Sequence, residues 1–194
     1  EKHQINARDI GLLVTSGIKK VLVFKKPKIA IIATGNELIN IDKKIRKSQI
    51  YASSLYMLKE LVNGCNSNCK VLKIIKDNEI SIKKNISNLK KMDLVITTGG
   101  VSVGKKDLVK KCLEDLGMKT KFWKVKVKPG KPILFGLLNS IPVFGLPGNP
   151  VSSYVCFIIF VMEAIKKLIP CDINYIKINK AHPVNKLINN SERE

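Results

Sequence analysis

The sequence predicts an α/β fold, a three-layer αβα arrangement whose mostly parallel sheet has one mixed edge. Three observations carry this expectation. From residue 28 onward, short apolar runs alternate with amphipathic helical patterns over short links, which builds a parallel sheet with helices on both faces. The apolar runs are continuous rather than alternating, as in strands buried on both sides. Between Val125 and Phe144, two turn signals fold the chain back on itself, so one edge of the sheet is expected to be mixed.

Taken in order, Asn6 can cap a short helix carrying Ile10, Leu13 and Val14 and closed by Gly17. Val21 to Phe24 reads as a brief strand ended by Pro27. Ile29 to Ala33 is a buried strand, bounded by Thr34-Gly35. A helix over about 48–63 places Ile50, Leu55, Leu58, Leu61 and Val62 on one stripe, with Gly64 after it. Val71 to Ile75 is a strand, Asn78 to Lys91 a helix, and Leu94 to Thr98 a strand ended by Gly99-Gly100. A helix from about Lys105 to Leu116 ends at Gly117. Phe122 to Lys128, Pro132 to Gly136 and Ile141 to Gly145 read as strands joined by turns at Pro129-Gly130 and Leu138-Asn139-Ser140. Asn149-Pro150, a cap followed by proline in the first turn, opens a helix running to about Leu168.

With 194 residues and 45% hydrophobic content the chain can bury a core without disulfides, which excludes bulk disorder. Its longest apolar run, Tyr154 to Met162, is too short for the roughly 20 residues a bilayer needs, so no membrane span is expected. Five cysteines, an odd number, fit no disulfide framework and suggest a reducing cytoplasm. A first residue of Glu1 without an initiator Met reads as a fragment. Residues 1–27 would be a lead-in from a preceding domain, 28–169 the folded domain, and 170–194 the start of a following one.

The formal charge of +20 invites a nucleic-acid partner. The detail opposes it: only Arg8, Arg46 and Arg193 are arginines, the fork that reads bases and grips phosphates, and the lysines are spread over the whole chain. His3 and His182 lie near the two ends, so no histidine triad or zinc set is expected in the core.

In an open parallel sheet, ligands sit at the carboxyl ends of the strands. Four loops qualify. Thr34-Gly35-Asn36-Glu37-Leu38 offers close backbone approach and a carboxylate, or is a plain glycine turn with a solvated acid. The loop from Thr97 to Asp107 spends Gly99, Gly100 and Gly104 between a strand and a helix, so that successive N–H groups can converge on an anion, but it matches neither the dinucleotide nor the triphosphate fingerprint. Asp107 in the first helical turn suits either a cap or a metal. Lys128-Pro129-Gly130-Lys131-Pro132 holds two cations in a stiffened turn, which suits an anion between them or two solvated lysines. Gly145 to Ser153 is a rigid entry into a helix N-terminus, in form a second anion cradle.

Together, TGNEL, TTGGVSVGKKD, KPGKP and GLPGNPVSS, in this order and spacing, resemble the central molybdopterin-binding domain of the molybdopterin molybdenumtransferase family (MoeA type, with the gephyrin E domain) over about Asp9 to Leu168. The resemblance implies an enzyme of molybdenum cofactor biosynthesis that inserts molybdate into adenylylated molybdopterin and releases AMP, with Mg2+. It implies that Thr34, Gly35, Asn36 and Glu37 line the site, with Glu37 as an essential acid. Thr98, Gly99, Gly100, Val101, Ser102 and Gly104 would bind the pterin or its phosphate, and Asp107 the metal. Lys128 and Lys131 would receive molybdate or phosphate, and Pro147, Gly148, Asn149 and Ser152 would complete the opposite wall. It further implies a small-molecule anionic substrate, a homo-oligomer in which another subunit completes the pocket, and neither a nucleic-acid nor a membrane partner.

The chain departs from the family pattern in two stretches. After Gln49-Ile50-Tyr51 it has Ala52-Ser53-Ser54 where the family has Asp-Ser-Asn or a close variant, and Leu38 to Ser48 is unusually rich in lysine. Two alternatives accompany the reading. The related adenylyltransferase usually continues its glycine loop as GGTG before an Arg-Asp pair, where this chain has Val101 and Lys106. A non-catalytic, gephyrin-like binding or scaffold module is the other.

Overall fold

The computed structural model describes residues 3–99 and 107–169. Its elements are α1 (Ala7–Thr15), β1 (Lys28–Thr34), β2 (Leu38–Ile39), β3 (Ile50–Tyr51), α2 (Ser53–Gly64), β4 (Asn68–Ile75), α3 (Glu79–Ser87), β5 (Leu94–Thr98), α4 (Leu108–Asp115), β6 (Lys119–Trp123), β7 (Leu134–Leu138), β8 (Ile141–Leu146), α5 (Pro150–Cys156) and α6 (Met162–Leu168). A five-residue π-helical stretch, Phe157–Val161, joins α5 to α6 in one continuous helix.

The main sheet has the order β4-β1-β5-β8-β7-β6. β4, β1, β5 and β8 run parallel, while β7 and β6 pair antiparallel at one edge. The expected mixed edge is therefore present. β1 shows why its apolar run is unbroken: Ile29, Ile31 and Ala33 enter a core shared with α2 and the α5–α6 helix, while Ala30 and Ile32 enter a second core with α3 and α4. Each core lies on one face of the sheet, which gives the three layers.

Local signals explain several boundaries. The Asn6 side chain accepts from Arg8 and Asp9 N–H while Asp9 reaches back to Asn6 N–H, a complete capping box for α1. Asn78 caps α3 by accepting from Ser81 N–H. Asn139 and Ser140 both take positive φ, the conformation that a tight β7–β8 hairpin turn requires.

Four sequence expectations are corrected. Val21 to Phe24 is not a strand: Leu22 is fully exposed, and an apolar tetrad without a neighbouring strand gains nothing from extension. α2 starts at Ser53 rather than near Ser48, because Ile50 N–H donates to Glu37 O at 2.9 Å and Ala52 N–H to Ile39 O at 3.1 Å, which commits this stretch to the small parallel pair β2–β3. α3 ends at Ser87, short of Lys91. β6 is displaced toward the N-terminus and ends at Trp123, since Lys124 adopts a φ of 63° that no strand accommodates; β7 correspondingly begins at Leu134.

Candidate functional site

The carboxyl ends of β1 and β5 lie side by side, with Ala33 opposite Thr98. Gly99, just past β5, has φ +80°, and a Cβ there would stand 2.2 Å from Thr34 O. Only glycine permits that approach. A Cβ on Gly148 would meet Gly99 Cα at 3.5 Å, so the loop after β8 closes onto the same point.

Three hydrogen bonds lock this junction. Thr98 Oγ1 donates to Pro147 O at 3.0 Å, the Ser153 hydroxyl donates to the same carbonyl, and Ser54 Oγ donates to Gly148 O at 3.0 Å. The last joins residues 94 apart in sequence and pins the start of α2 to the loop before α5.

Between these loops lies a cavity of about 390 Å³. Thr34, Thr98 and Gly99 contribute from the strand ends, Glu37 from the β1–β2 loop, and Gly148 and Asn149 from the entry to α5. Tyr51, Ala52, Ser53 and Ser54 complete the wall. Sequence reasoning did not assign these four to the site, although the Ala52-Ser53-Ser54 departure marked three of them. Thr34 Oγ1 is buried and has no hydrogen-bond partner among the described residues. Its hydrogen-bonding capacity is unspent, whereas Thr98 Oγ1 is already engaged.

Other expected site residues lie elsewhere. Gly35 and Asn36 face a neighbouring groove rather than this cavity, and Asn36 Oδ1 accepts from Asp77 N–H at 3.2 Å. The Glu37 side chain curls back over Gly35, where a Cβ would lie 2.8 Å from Oε1. Pro147 acts through its carbonyl. Ser152 contributes its backbone N–H to the Asn149 side chain. Gly100, Val101, Ser102 and Gly104 lie outside the described residues.

Asn149 Oδ1 accepts from Val151 N–H at 3.0 Å and Ser152 N–H at 3.3 Å. The expected second anion cradle at α5 thus has its leading donors occupied by its own cap. Lys128 and Lys131 are not in the cavity lining. Their turn folds back through Val125 N–H to Lys131 O at 3.0 Å, and Gly130, at φ +125°, rests on Cys156 in the middle of the long helix. Burial pushes the Cys156 thiol up to about 11.

Asp107 is the N-cap of α4 rather than a member of its first turn; Oδ1 accepts from Lys110 N–H at 2.9 Å. Oδ2 is buried and makes no well-aligned hydrogen bond among the described residues, although the Trp123 indole lies close enough to act on the carboxyl. Burial raises this carboxyl above its ordinary range, against the lowering effect of the Lys110 N–H bond, the Lys110 and Lys124 charges, and the Trp123 indole. Lys124 Nζ lies 3.9 Å from the Trp123 ring centroid and Lys110 Nζ 5.1 Å, so the carboxyl sits among cations. No cluster of three or more His, Cys, Asp or Glu side chains that could hold a metal occurs among the described residues. None of the described helices is long and apolar enough to cross a membrane.

The family profile described as "Probable molybdopterin binding domain" matches residues 30–167, a span containing all four loops. The chain is 39% identical over 166 residues to the molybdopterin molybdenumtransferase of Haemophilus influenzae, covering 85% of this chain and 41% of that protein. It is 37% identical to gephyrin of Dictyostelium discoideum, covering 85% of this chain and 27% of that one. The molybdopterin biosynthesis MoeA protein of Pyrococcus horikoshii superimposes with a TM-score of 0.79 at 30% identity, over 87% of this chain and 42% of that structure. Molybdenum cofactor biosynthesis protein B, at 14% identity and a TM-score of 0.53, shares the fold. The chain spans about two fifths of the length of the first two molybdenumtransferases it matches. A four-stranded parallel core with a mixed edge, glycine-tight loops meeting over β1 and β5, and a profile match across most of its length agree: the chain belongs to the molybdopterin-binding-domain family.

Proposed function

We propose that this chain is the molybdopterin-binding domain of a molybdopterin molybdotransferase, an enzyme of molybdenum cofactor biosynthesis that inserts molybdate into adenylylated molybdopterin and releases AMP. The convergence of three of the four matched loops on one cavity carries the reading. In it, Thr34 Oγ1 donates to the bound ligand, and Gly99 and Gly148 let it approach the backbone. Glu37 is the acid on the wall and accepts N–H donors of the pterin. Lys128 and Lys131, which stand outside this cavity in their turn against the helix, would receive the molybdate or phosphate oxyanion only where it extends beyond the cavity.

In this reading Asp107 is the carboxylate that would hold a divalent cation. Mg2+ is commonly held by one or two carboxylates with water and substrate phosphate completing the shell, and Asp107 would supply one such carboxylate oxygen. When bound, the ion would neutralise phosphate charge. Asp107 itself holds the start of α4 in place and stands among the cations Lys110 and Lys124. The reading also takes the full-length protein to be a cytoplasmic homo-oligomer acting on a small anionic substrate.

Titration of the chain with molybdopterin and its adenylylated form is the test. Saturable binding that weakens in Thr34→Val supports the proposal, and a folded chain that binds neither form at millimolar concentration overturns it. One observation favours a second reading, a binding module without turnover: Ala52 puts a buried methyl on the cavity wall, where the resemblance implies an acid. In the full-length protein, unchanged cofactor synthesis by Asp107→Ala would favour that module.

A further inference from the structure

The turn Gly35–Asn36, with Leu38, separates the cavity from a second concavity of about 760 Å³ on the other side of the same loop. It opens where β1 and β4 end, and Ile75 and Lys76 form part of its wall. Lys43, Lys44, Arg46 and Lys76 line it, and no carboxylate does. None of these four cations forms a salt bridge among the described residues. Four like charges around one hollow repel one another, and a multiply charged anion relieves that repulsion.

The segment carrying them is folded. Asn40 Oδ1 accepts from Ile41 N–H at 2.9 Å and from the Tyr56 hydroxyl, and Lys43 N–H donates to Asn40 O at 3.1 Å. Arg46 N–H donates to Gln49 Oε1 at 3.0 Å, and Gln49 N–H returns to Arg46 O at 3.1 Å. The opposite wall is equally fixed, with Gly35 N–H donating to Ile75 O at 3.3 Å. The cations therefore stand on tied backbone at the carboxyl end of a parallel sheet, where ligand sites collect. The volume falls within the range of small-molecule sites, and the lining combines an arginine fork with lysine point charges.

We propose that this groove is a second ligand site that binds a phosphate-bearing small anion of the diphosphate class through Lys43, Lys44, Arg46 and Lys76. It is distinct from the central cavity and stands whether or not that cavity takes a pterin. The lysine-rich stretch between Leu38 and Ser48 thereby acquires a role.

Calorimetric titration of the 194-residue chain with inorganic pyrophosphate, ADP and AMP at about 50 mM salt tests it. Pyrophosphate and ADP bind with sub-millimolar Kd, and the exposed-residue variant Lys43→Gln/Lys44→Gln/Arg46→Gln loses at least tenfold while keeping its melting temperature. Thr34→Val in the central cavity leaves this binding unchanged, which separates the two sites. Tighter binding of ADP than of pyrophosphate identifies a nucleotide as the source of the phosphates, and equal binding identifies the phosphates alone. The proposal is overturned if pyrophosphate fails to bind at about 5 mM, if the triple variant binds as well as the original chain, or if Lys90→Gln/Lys91→Gln costs as much. A DNA duplex that binds where pyrophosphate does not would equally overturn it in favour of an extended polyanion surface.

Discussion

Replacing Gly99 by alanine perturbs the point where three loops meet, and its cost can be worked from the geometry. The residue holds φ +80°, a left-handed conformation that costs an L side chain about 1–2 kcal/mol. The added methyl would stand 2.2 Å from the Thr34 carbonyl oxygen, a backbone atom that cannot rotate aside. Relief requires β1 and β5 to part at their ends, and overpacking of this kind costs about 1–3 kcal/mol. The sum is about 2–5 kcal/mol. With a urea slope of about 2 kcal/mol/M, the unfolding midpoint falls by roughly 1–2.5 M. Gly148→Ala is the matched control, because its methyl would meet Gly99 Cα at an ordinary 3.5 Å, and a shift below about 0.5 kcal/mol is expected. Urea denaturation of both variants, followed by circular dichroism, reads the difference. If Gly99→Ala melts with the original protein, or Gly148→Ala falls as far, the account of the cavity as built on one glycine contact is wrong.

Three further outcomes are expected. Asn149→Ala removes both side-chain bonds to the first turn of α5 and should lower stability by about 1 kcal/mol, readable in the same denaturation experiment. Cys156, with a thiol near 11 and pressed against Gly130, should resist iodoacetamide at about pH 8 in the native protein and react once unfolded; native labelling at the unfolded rate would show that the lysine turn is not seated on the helix. Between α3 and α4, Lys83 Nζ lies 2.6 Å from Asp115 Oδ2 and Lys111 Nζ 2.6 Å from Glu79 Oε1, and hydrogen bonding to the lysines holds both carboxyls below their ordinary values of 3.8 and 4.5. Depressed carboxyl values add stability above the unfolded range that vanishes as pH falls through the folded values, so Lys83→Met/Lys111→Met should be the less stable near neutrality and should match the original protein at about pH 2.

The fold was legible where burial was double-sided. Residues 29–34 and Leu94–Thr98 declare themselves because every buried residue of an interior parallel strand needs an apolar or hydroxyl side chain. The edge was less so. What ends β6 is the left-handed backbone at Lys124, and a lysine carries no such signal. The start of α2 was misplaced because Ile50, in register for a helix, is taken by the Glu37 carbonyl, a partner 13 positions away.

The site divides in the same way. Glycine spacing located the strand-end loops, since close backbone approach demands it at Gly99. Nothing in TGNEL says that Thr34 and Glu37 face one hollow while Gly35 and Asn36 face another, because a tight turn sends neighbours to opposite sides. Nor does KPGKP disclose that its glycine seats on Cys156 instead of on the cavity. Ser54 was invisible as a clamp, because its partner is 94 residues distant.

The π-helical stretch bears on the angular bookkeeping of the long helix. Ser153, Phe157, Val161 and Ile165 are all fully buried and lie at strict intervals of four. An α-helix advances about 100° per residue, so each interval overshoots a full turn by about 40° and three of them by about 120°, enough to carry the last residue off the core face. The wider turn at Phe157–Val161 slows the rotation and lets one face serve both Ser153, at the ligand end, and Ile165, deep in the core. Residue numbering through this helix therefore runs one residue ahead of a regular one: deleting a single residue between 157 and 161 would leave eleven steps of about 100°, which bring Ile165 back to within about 20° of the face of Ser153 in an unbroken α-helix, so the wider turn is where the helix stores one surplus residue.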